Sequence, residues 1–414
     1  MLEQINFVLC GVFLPLVLCL AGIFFIFKLR GFYLLHPLRT LGVIKRSGQG
    51  FKPLCVALAG TLGVGNIVGV ASAIIMGGAG SVLWMLISAL IAMSLKYAEA
   101  FLSIKHRRGG GCNHYGGAPY YIADASGKRG FFIGGLFAVL CIINSLSTGT
   151  LVQINSVSDL LPNGRLVFGF AFALIIFLIV LGGERRIQAV SSVIIPILTI
   201  LYLALSLFII FSNFDGLCVA ISKIFSEAFS VKSALSGGVG FGISSAIRYG
   251  FTRGLLSNEA GCGTATIAHA SSSLSPHSQG CLGIFEVFWD TIVLCFVTAL
   301  VILIADTGEQ NPILLAINSY GKLLGNFGRF FIAFSCILFA LATVSCQFYY
   351  GSTSLRFLSR SRFAFLAYSA IFFSVCVISA IISSATMWQI SDLVVASLAI
   401  FNLIFLVVLA KEIK

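Results

Sequence analysis

The sequence predicts an all-α polytopic membrane protein, and three observations carry that prediction. Hydrophobic residues make up 58% of the 414 and charged ones only 10%, with a mean hydropathy of +1.04, a composition outside the range of soluble globules. Runs of about 20 apolar residues recur from end to end, each long enough at about 1.5 Å per residue to cross a hydrocarbon core of about 30 Å. Two of these runs are interrupted by clusters of glycine, which weaken a helix interior by about 0.5–1 kcal/mol each relative to alanine.

Taken in order, a peripheral first span is expected over Asn6 to Lys28. Met1 to Phe7 carries Glu3 and no basic residue, so this span reads as a retained helix rather than a cleaved signal peptide. Core spans one to five follow over Lys52 to Gly78, Ser81 to Ile104, Phe131 to Leu160, Leu166 to Leu181 and Ile187 to Phe211. Spans six to ten follow over Ala234 to Arg253, Gly280 to Ile304, Phe331 to Tyr350, Phe363 to Ile382 and Gln389 to Leu409. The expected divisions are a peripheral helix and loop over residues 1–51 and two five-helix halves over 52–212 and 213–414.

Short cytoplasmic loops hold the excess of Lys and Arg. With these spans, 21 of the 26 basic residues fall on one side, Lys96, Arg248 and Arg253 among them, against Arg165, Lys223, Lys232, Lys322 and Arg329 on the other. The expected orientation therefore has the amino terminus outside and the carboxyl terminus in the cytoplasm, in a multi-pass protein of the cell membrane. The same distribution explains the net charge of +12, because no continuous basic helix or aromatic stacking platform points to nucleic acid. Twelve cysteines lack C-x-x-C spacing and read as buried thiols. The five histidines match no zinc spacing and read as solvated or capping residues in inner-side connections.

The first glycine cluster is AGTLGVGNIVGVASAI, Ala59 to Ile74, and the second is SGGVGFGISS, Ser236 to Ser245. They fall in core spans one and six, which are five apart and run in opposite directions, the signature of an inverted repeat. Paired interrupted helices mark a transporter site at the midplane. An unwound stretch frees carbonyls that suit a cation and amides that suit a carboxylate. A small neutral amino acid with sodium beside it meets both needs, and Asn66 can add a side-chain contact.

These residues resemble the alanine or glycine:cation symporters, also called sodium:alanine symporters. The likeness runs through GTLGVGNIVGVASAI, KYAEAFLSIKHR from Lys96, GGAPYYI from Gly116 and YGFTRGLLSNEAGCGTATIAHA from Tyr249. It continues in QGCLGIFEVFWDT from Gln279 and FALATVSCQFYYG from Phe339. The resemblance implies a leucine-transporter-like fold of about 11 transmembrane helices, five plus five inverted with broken core helices one and six, and one additional amino-terminal helix. It also implies sodium-driven uptake of alanine, glycine or a close relative, with no protein partner beyond the lipid bilayer. By position, Thr61, Val64, Gly65, Asn66, Gln153, Gly240, Phe241, Gly242, Thr343 and Gln347 match the family's substrate region. Sodium is expected on carbonyls of Thr61, Leu62 and Val64 and the hydroxyl of Thr343, since a hard cation takes oxygen ligands. Gln347 stands where the family commonly carries Trp, which opens the substrate to serine, and GGAPYYI departs from the usual Gly-Gly-Pro-Met.

Other polar residues have competing readings. Asn155 is expected to pack helices. Glu286 and Asp290, four apart on span seven, share one face. They either carry protons, making a proton-coupled amino-acid symporter, or anchor the span against Arg248, Arg253 or the Ser-Asn-Glu block. Ser257, Asn258 and Glu259 are expected to begin a cytoplasmic segment acting as an inner gate. An intramembrane enzyme lacks any H-E-x-x-H or G-x-S-x-G pattern, and a channel accords less well with paired broken helices than an occluding carrier does.

Overall fold

The computed structural model describes residues 6, 8–37, 40, 42–43, 51–109, 115–161, 163–229, 241–382 and 384–413, with backbone alone for 241–244 and 384–386. Among these residues the regular structure is helical, apart from one isolated bridge between Arg108 and Tyr115. Among the described residues, eight helical runs are long and apolar enough to cross a membrane, and Phe51–Thr61, Val68–Gly77 and Arg165–Val180 are shorter apolar helices.

A π-helical turn at Leu9–Phe13 leads into α1 (Leu14–Lys28). Core span one is two helices, α2 (Phe51–Thr61) and α3 (Val68–Gly77). Gly78, at φ 74°, then turns the chain into α4 (Gly80–Lys105). On the far side of α4 lies the short α5 (Ala118–Ala125). Span three comprises α6 (Gly130–Leu146), a π-helical stretch Ser147–Leu151 and α7 (Val152–Ser158). Spans four and five are α8 (Arg165–Val180) and α9 (Gly183–Ser212), and α10 (Phe214–Ala228) is an amphipathic helix that hydropathy alone does not mark.

The second half contains α11 (Phe241–Asn258) and the single turn α12 (Thr266–Ala270). Span seven is α13 (Pro276–Val287), a π-helical stretch Phe288–Cys295 and α14 (Phe296–Ala305). The Asn311 side chain caps Ile313 and Leu314 N–H at the start of α15 (Pro312–Leu358), which a glycine at φ 66°, Gly325, kinks before span eight proper. Last come α16 (Arg362–Ser379) and α17 (Ser384–Val408).

Packing inverts the soluble pattern. Phe170 and Leu174 on α8 and Ile200 and Phe208 on α9 are exposed. Lys96, Glu99, Glu259, Glu286 and Asp290 are each at most 4% exposed. A bilayer imposes that arrangement, because the chain must satisfy polar groups from within. At one end a cavity of about 830 Å³ is lined by Asn6, Asp159, Asn311 and Gln389 together with Arg248 and Arg253. Arg253 pairs with Asp392 at 2.6 Å and lies over the Trp388 ring. Two corrections follow. Arg248 and Arg253 share an end with Asp159 and Asn311, not with the loop cations grouped with them by sequence, and Lys96 belongs to no loop because it lies inside α4 with no exposure. At the opposite end Lys105 meets Glu412 at 2.7 Å, and that hydrogen bond holds the Glu412 carboxyl below its ordinary value of 4.5.

Candidate functional site

Span one breaks where the glycines permit it. After α2 the chain turns extended at Gly63, makes one 3-10 turn over Val64–Asn66, and resumes as α3. A Cβ on Gly63 would stand 2.7 Å from both Gln153 Oε1 and Thr343 Oγ1, so only glycine lets those two side chains close on the break. Val64 N–H donates to Gln153 Oε1 at 2.8 Å. Thr343 Oγ1 lies 2.9 Å from Ala59 O and 3.5 Å from Leu62 O, the carbonyls freed at the end of α2. This set of hydroxyl and carbonyl oxygens has the chemistry a hard monovalent cation requires.

Of the second glycine cluster, residues 236–240, Gly240 among them, lie outside the described residues. Phe241 and Gly242 open α11, about 24 Å along the axis from its other end. Among the described residues an interruption follows over residues 259–265, in and after the Ser-Asn-Glu-Ala-Gly block. There Glu259 has φ 48°, and Gly261 and Gly263, at φ 91° and 76°, adopt the left-handed conformation that glycine takes without strain. Ser257, Asn258 and Glu259 are therefore buried inside a broken span and do not begin a cytoplasmic segment.

Side chains from distant helices hold this second break. Glu99 Oε1 accepts from Gly263 N–H and from Asn402 Nδ2, each at 2.7 Å. Glu259 accepts from Thr264 Oγ1 and, at 3.0 Å, from Gln347 Nε2. Lys96 Nζ lies 2.9 Å from Glu286 Oε1 and donates to Asn258 O at 3.0 Å, placing its charge at the negative end of α11. Gln279 Nε2 donates to His269 Nδ1, which leaves Nε2 to donate to Glu286 Oε2 at 2.9 Å. His269 is thus fully buried, against the solvated role its sequence context suggests. Glu286 anchors span seven through Lys96 and His269 rather than through Arg248 or Arg253. Asp290 accepts from Asn66 Nδ2 at 2.7 Å, Ser257 Oγ at 2.6 Å and Thr291 Oγ1 at 2.8 Å.

Of the residues singled out from sequence, Val64, Gln153, Leu62 and Thr343 converge at the first break. A Cβ on Gly65 would stand 3.7 Å from the backbone of Leu256 and Ser257, and Asn66 bridges to span seven. The Thr61 hydroxyl turns back onto Ala57 O and Leu58 O of its own helix. Gln347 reaches the second break because Gly149, in the π-helical stretch of span three, leaves room for its side chain. Asn155 donates to Ser379 O and Ile382 O, a helix-packing contact. Sequence reasoning missed Ala59, Glu99, Lys96 and the inward place of Glu259. A charged pair three apart within an apolar span, Lys96 and Glu99, was the available signal.

Residues 1–414 match the sequence profile of the sodium:alanine symporter family. The sodium/alanine symporter AgcS of Methanococcus maripaludis is 32% identical over 434 aligned residues, covering 99% of this chain and 94% of its own. GlnT of Bacillus subtilis, described as a probable sodium/glutamine symporter, is 31% identical over 407, covering 94% of this chain and 84% of its own. Among solved structures, a manganese transporter of Eremococcus coleocola in complex with an aromatic bis-isothiourea compound superposes with a TM-score of 0.57. The match has 14% identity and covers 86% of this chain and 76% of that one. At that identity the likeness concerns fold alone, and the fold is the leucine-transporter-like one.

Proposed function

Because this chain belongs to the sodium:alanine symporter family, we propose that it is a transporter that couples inward sodium flow to uptake of a small neutral amino acid by alternating access. The carrying observation is the first break, where the Thr343 hydroxyl faces the Ala59 and Leu62 carbonyls while Gln153 holds the Val64 amide. Sodium at Thr343 would stabilise the interrupted helix and so complete the amino-acid site beside it, a coupling that must be reciprocal. The pairing of α2 and α3 with α11 and α12 supports the five-plus-five repeat divided at 212/213, preceded by residues 1–51. The basic residues that remain on the end opposite the cavity support an amino terminus outside and a carboxyl terminus inside.

Alanine, glycine and serine are the favoured substrates. Among the described residues Gln347 Oε1 is buried without a partner while its amide nitrogen is committed to Glu259, so a donor on the substrate, such as a hydroxyl, gains by meeting it. The glutamine named for GlnT extends the same logic to a larger polar side chain. Proton coupling through Glu286 is disfavoured by the Lys96 and His269 partners that already balance it.

Uptake of labelled alanine, glycine and serine into proteoliposomes tests the reading, with and without an inward sodium gradient at fixed pH and membrane potential. Sodium-dependent accumulation is expected. Accumulation driven equally well by a proton gradient in sodium-free buffer would overturn it.

A further inference from the structure

Two carboxylates lie one turn apart on span seven, and their surroundings differ. Glu286 has Lys96 and His269. Asp290, equally buried, has only neutral partners among the described residues: Asn66, Ser257 and Thr291. A carboxylate buried at membrane depth without a positive partner is unfavourable, and the cations of the neighbourhood are already engaged four residues away.

A second observation bears on the same point. Asn66 is 4% exposed, yet among the described residues its Oδ1 has no hydrogen-bond partner, while its Nδ2 rests on Asp290. Rotating that amide by half a turn would bring an unpaired oxygen beside the carboxylate. The surrounding oxygens would then be one carboxylate, the Asp290 carbonyl, one amide oxygen and two hydroxyls, all hard donors, with the softer Cys295 thiol beside them at 3.1 Å from Ser257 Oγ. They come from three elements: the 3-10 turn of the first break, the last turn of α11 beside the second break, and the π-helical stretch of span seven. π-Helical insertions of this kind are frequent at functional sites.

We propose that Asp290, Asn66, Ser257 and Thr291 form a second sodium site, separate from the one at Thr343. The single carboxylate matches one positive charge, so a monovalent ion neutralises the site and a divalent one overcharges it. Its ligands join both broken helices to span seven, so occupancy fixes the two breaks relative to each other, whereas the Thr343 site touches the first break alone. The proposal rests on the symport reading above.

The test is radiolabelled sodium binding to purified full-length protein, without amino acid, beside sodium titration of uptake in proteoliposomes. Wild type is expected to bind two sodium ions per chain and to show a sodium Hill coefficient above one. Asp290→Asn and Thr343→Ala should each retain one ion, and Asp290→Asn should weaken sodium activation at least about tenfold. Ser257→Ala keeps the carboxylate and guards against a folding defect in Asp290→Asn; it should weaken the second ion by about threefold. One ion in wild type, unchanged by Asp290→Asn and Ser257→Ala, overturns the second site while leaving the symport reading intact. Two ions in Asp290→Asn, with uptake that has lost a dependence on proton gradient, would make Asp290 a proton carrier and equally overturn it. Failure of sodium to bind or drive uptake in wild type would overturn the symport reading itself.

Discussion

The two broken helices differ in what holds them open. At the first break the neutral side chains of Gln153 and Thr343 meet freed backbone groups, while Asn66 within it donates to the Asp290 carboxylate and, among the described residues, leaves its Oδ1 over. At the second, Glu99, Glu259, Lys96, Glu286 and His269 are tied into a buried charged network across α4, α12 and α13. The first break is suited to exchange its partners for ligands, since losing one neutral hydrogen bond costs about 0.5–1.5 kcal/mol. The second acts as a brace, since removing one member of a buried ion pair costs about 3–5 kcal/mol. The two interruptions thus differ in kind, the first built for exchange and the second for support.

The largest expected effect is on the brace. Lys96→Met leaves Glu286 facing only His269, and should lower stability by about 3–5 kcal/mol, whereas Lys96→Met with Glu286→Gln should recover most of that loss. Melting of the purified proteins reads both; equal melting of single and double variants would show that the pair is not what holds α4 to α13.

Next comes the geometry of the first break. Gly63→Ala places a methyl against Gln153 and Thr343, an overpacking of about 1–3 kcal/mol, and should depress sodium-driven uptake more than about tenfold. Gly69→Ala meets nothing within 4 Å and should transport normally. Equal activity in the two variants would remove Gln153 and Thr343 from the closed break.

A smaller effect is expected where the two breaks meet. Gln347→Leu removes the unpaired oxygen, so uptake of serine relative to alanine should fall by about tenfold. A serine to alanine ratio that stays constant in competition assays would mean the substrate never reaches that wall.

The smallest effect is expected far from both breaks. The ion pair of Lys105 with Glu412 is half-exposed, so Glu412→Gln should cost at most about 1 kcal/mol. Because the folded carboxyl titrates below 4.5, its contribution is present above that value and fades as pH falls through the lowered one. Melting compared at neutral and strongly acidic pH should show the deficit only at neutral pH; a deficit at both would exclude the charge as its cause.

Much of this architecture could be read from the chain. Long apolar runs mark spanning helices because a bilayer offers the backbone no hydrogen-bond partner, and Gly60 to Gly69 marks the first break because its glycines lie inside such a run. Gln153 and Thr343 were assigned to that break by resemblance, and both lie on it. The interruption after Asn258 is not legible in the same way, because it lies in a block polar enough to pass for a loop, while the glycine cluster at Gly237 to Gly240 falls outside the described residues.

The sequence by itself determined the membrane class, nearly all the spans, the family and the position of the first break, since those depend on local hydropathy, short motifs and short-range glycine patterns. Only the tertiary structure decided that Lys96 belongs to Glu286, that Glu259 faces Gln347, that Arg253 joins Asp392, and that Asp290 stands without a positive partner among the described residues. These pairings lie between 88 and 190 residues apart where two chain segments meet, or are defined by a missing partner, and neither property is written in any local stretch. Burial strengthens such contacts by excluding water, and burial is a property of the assembled bundle.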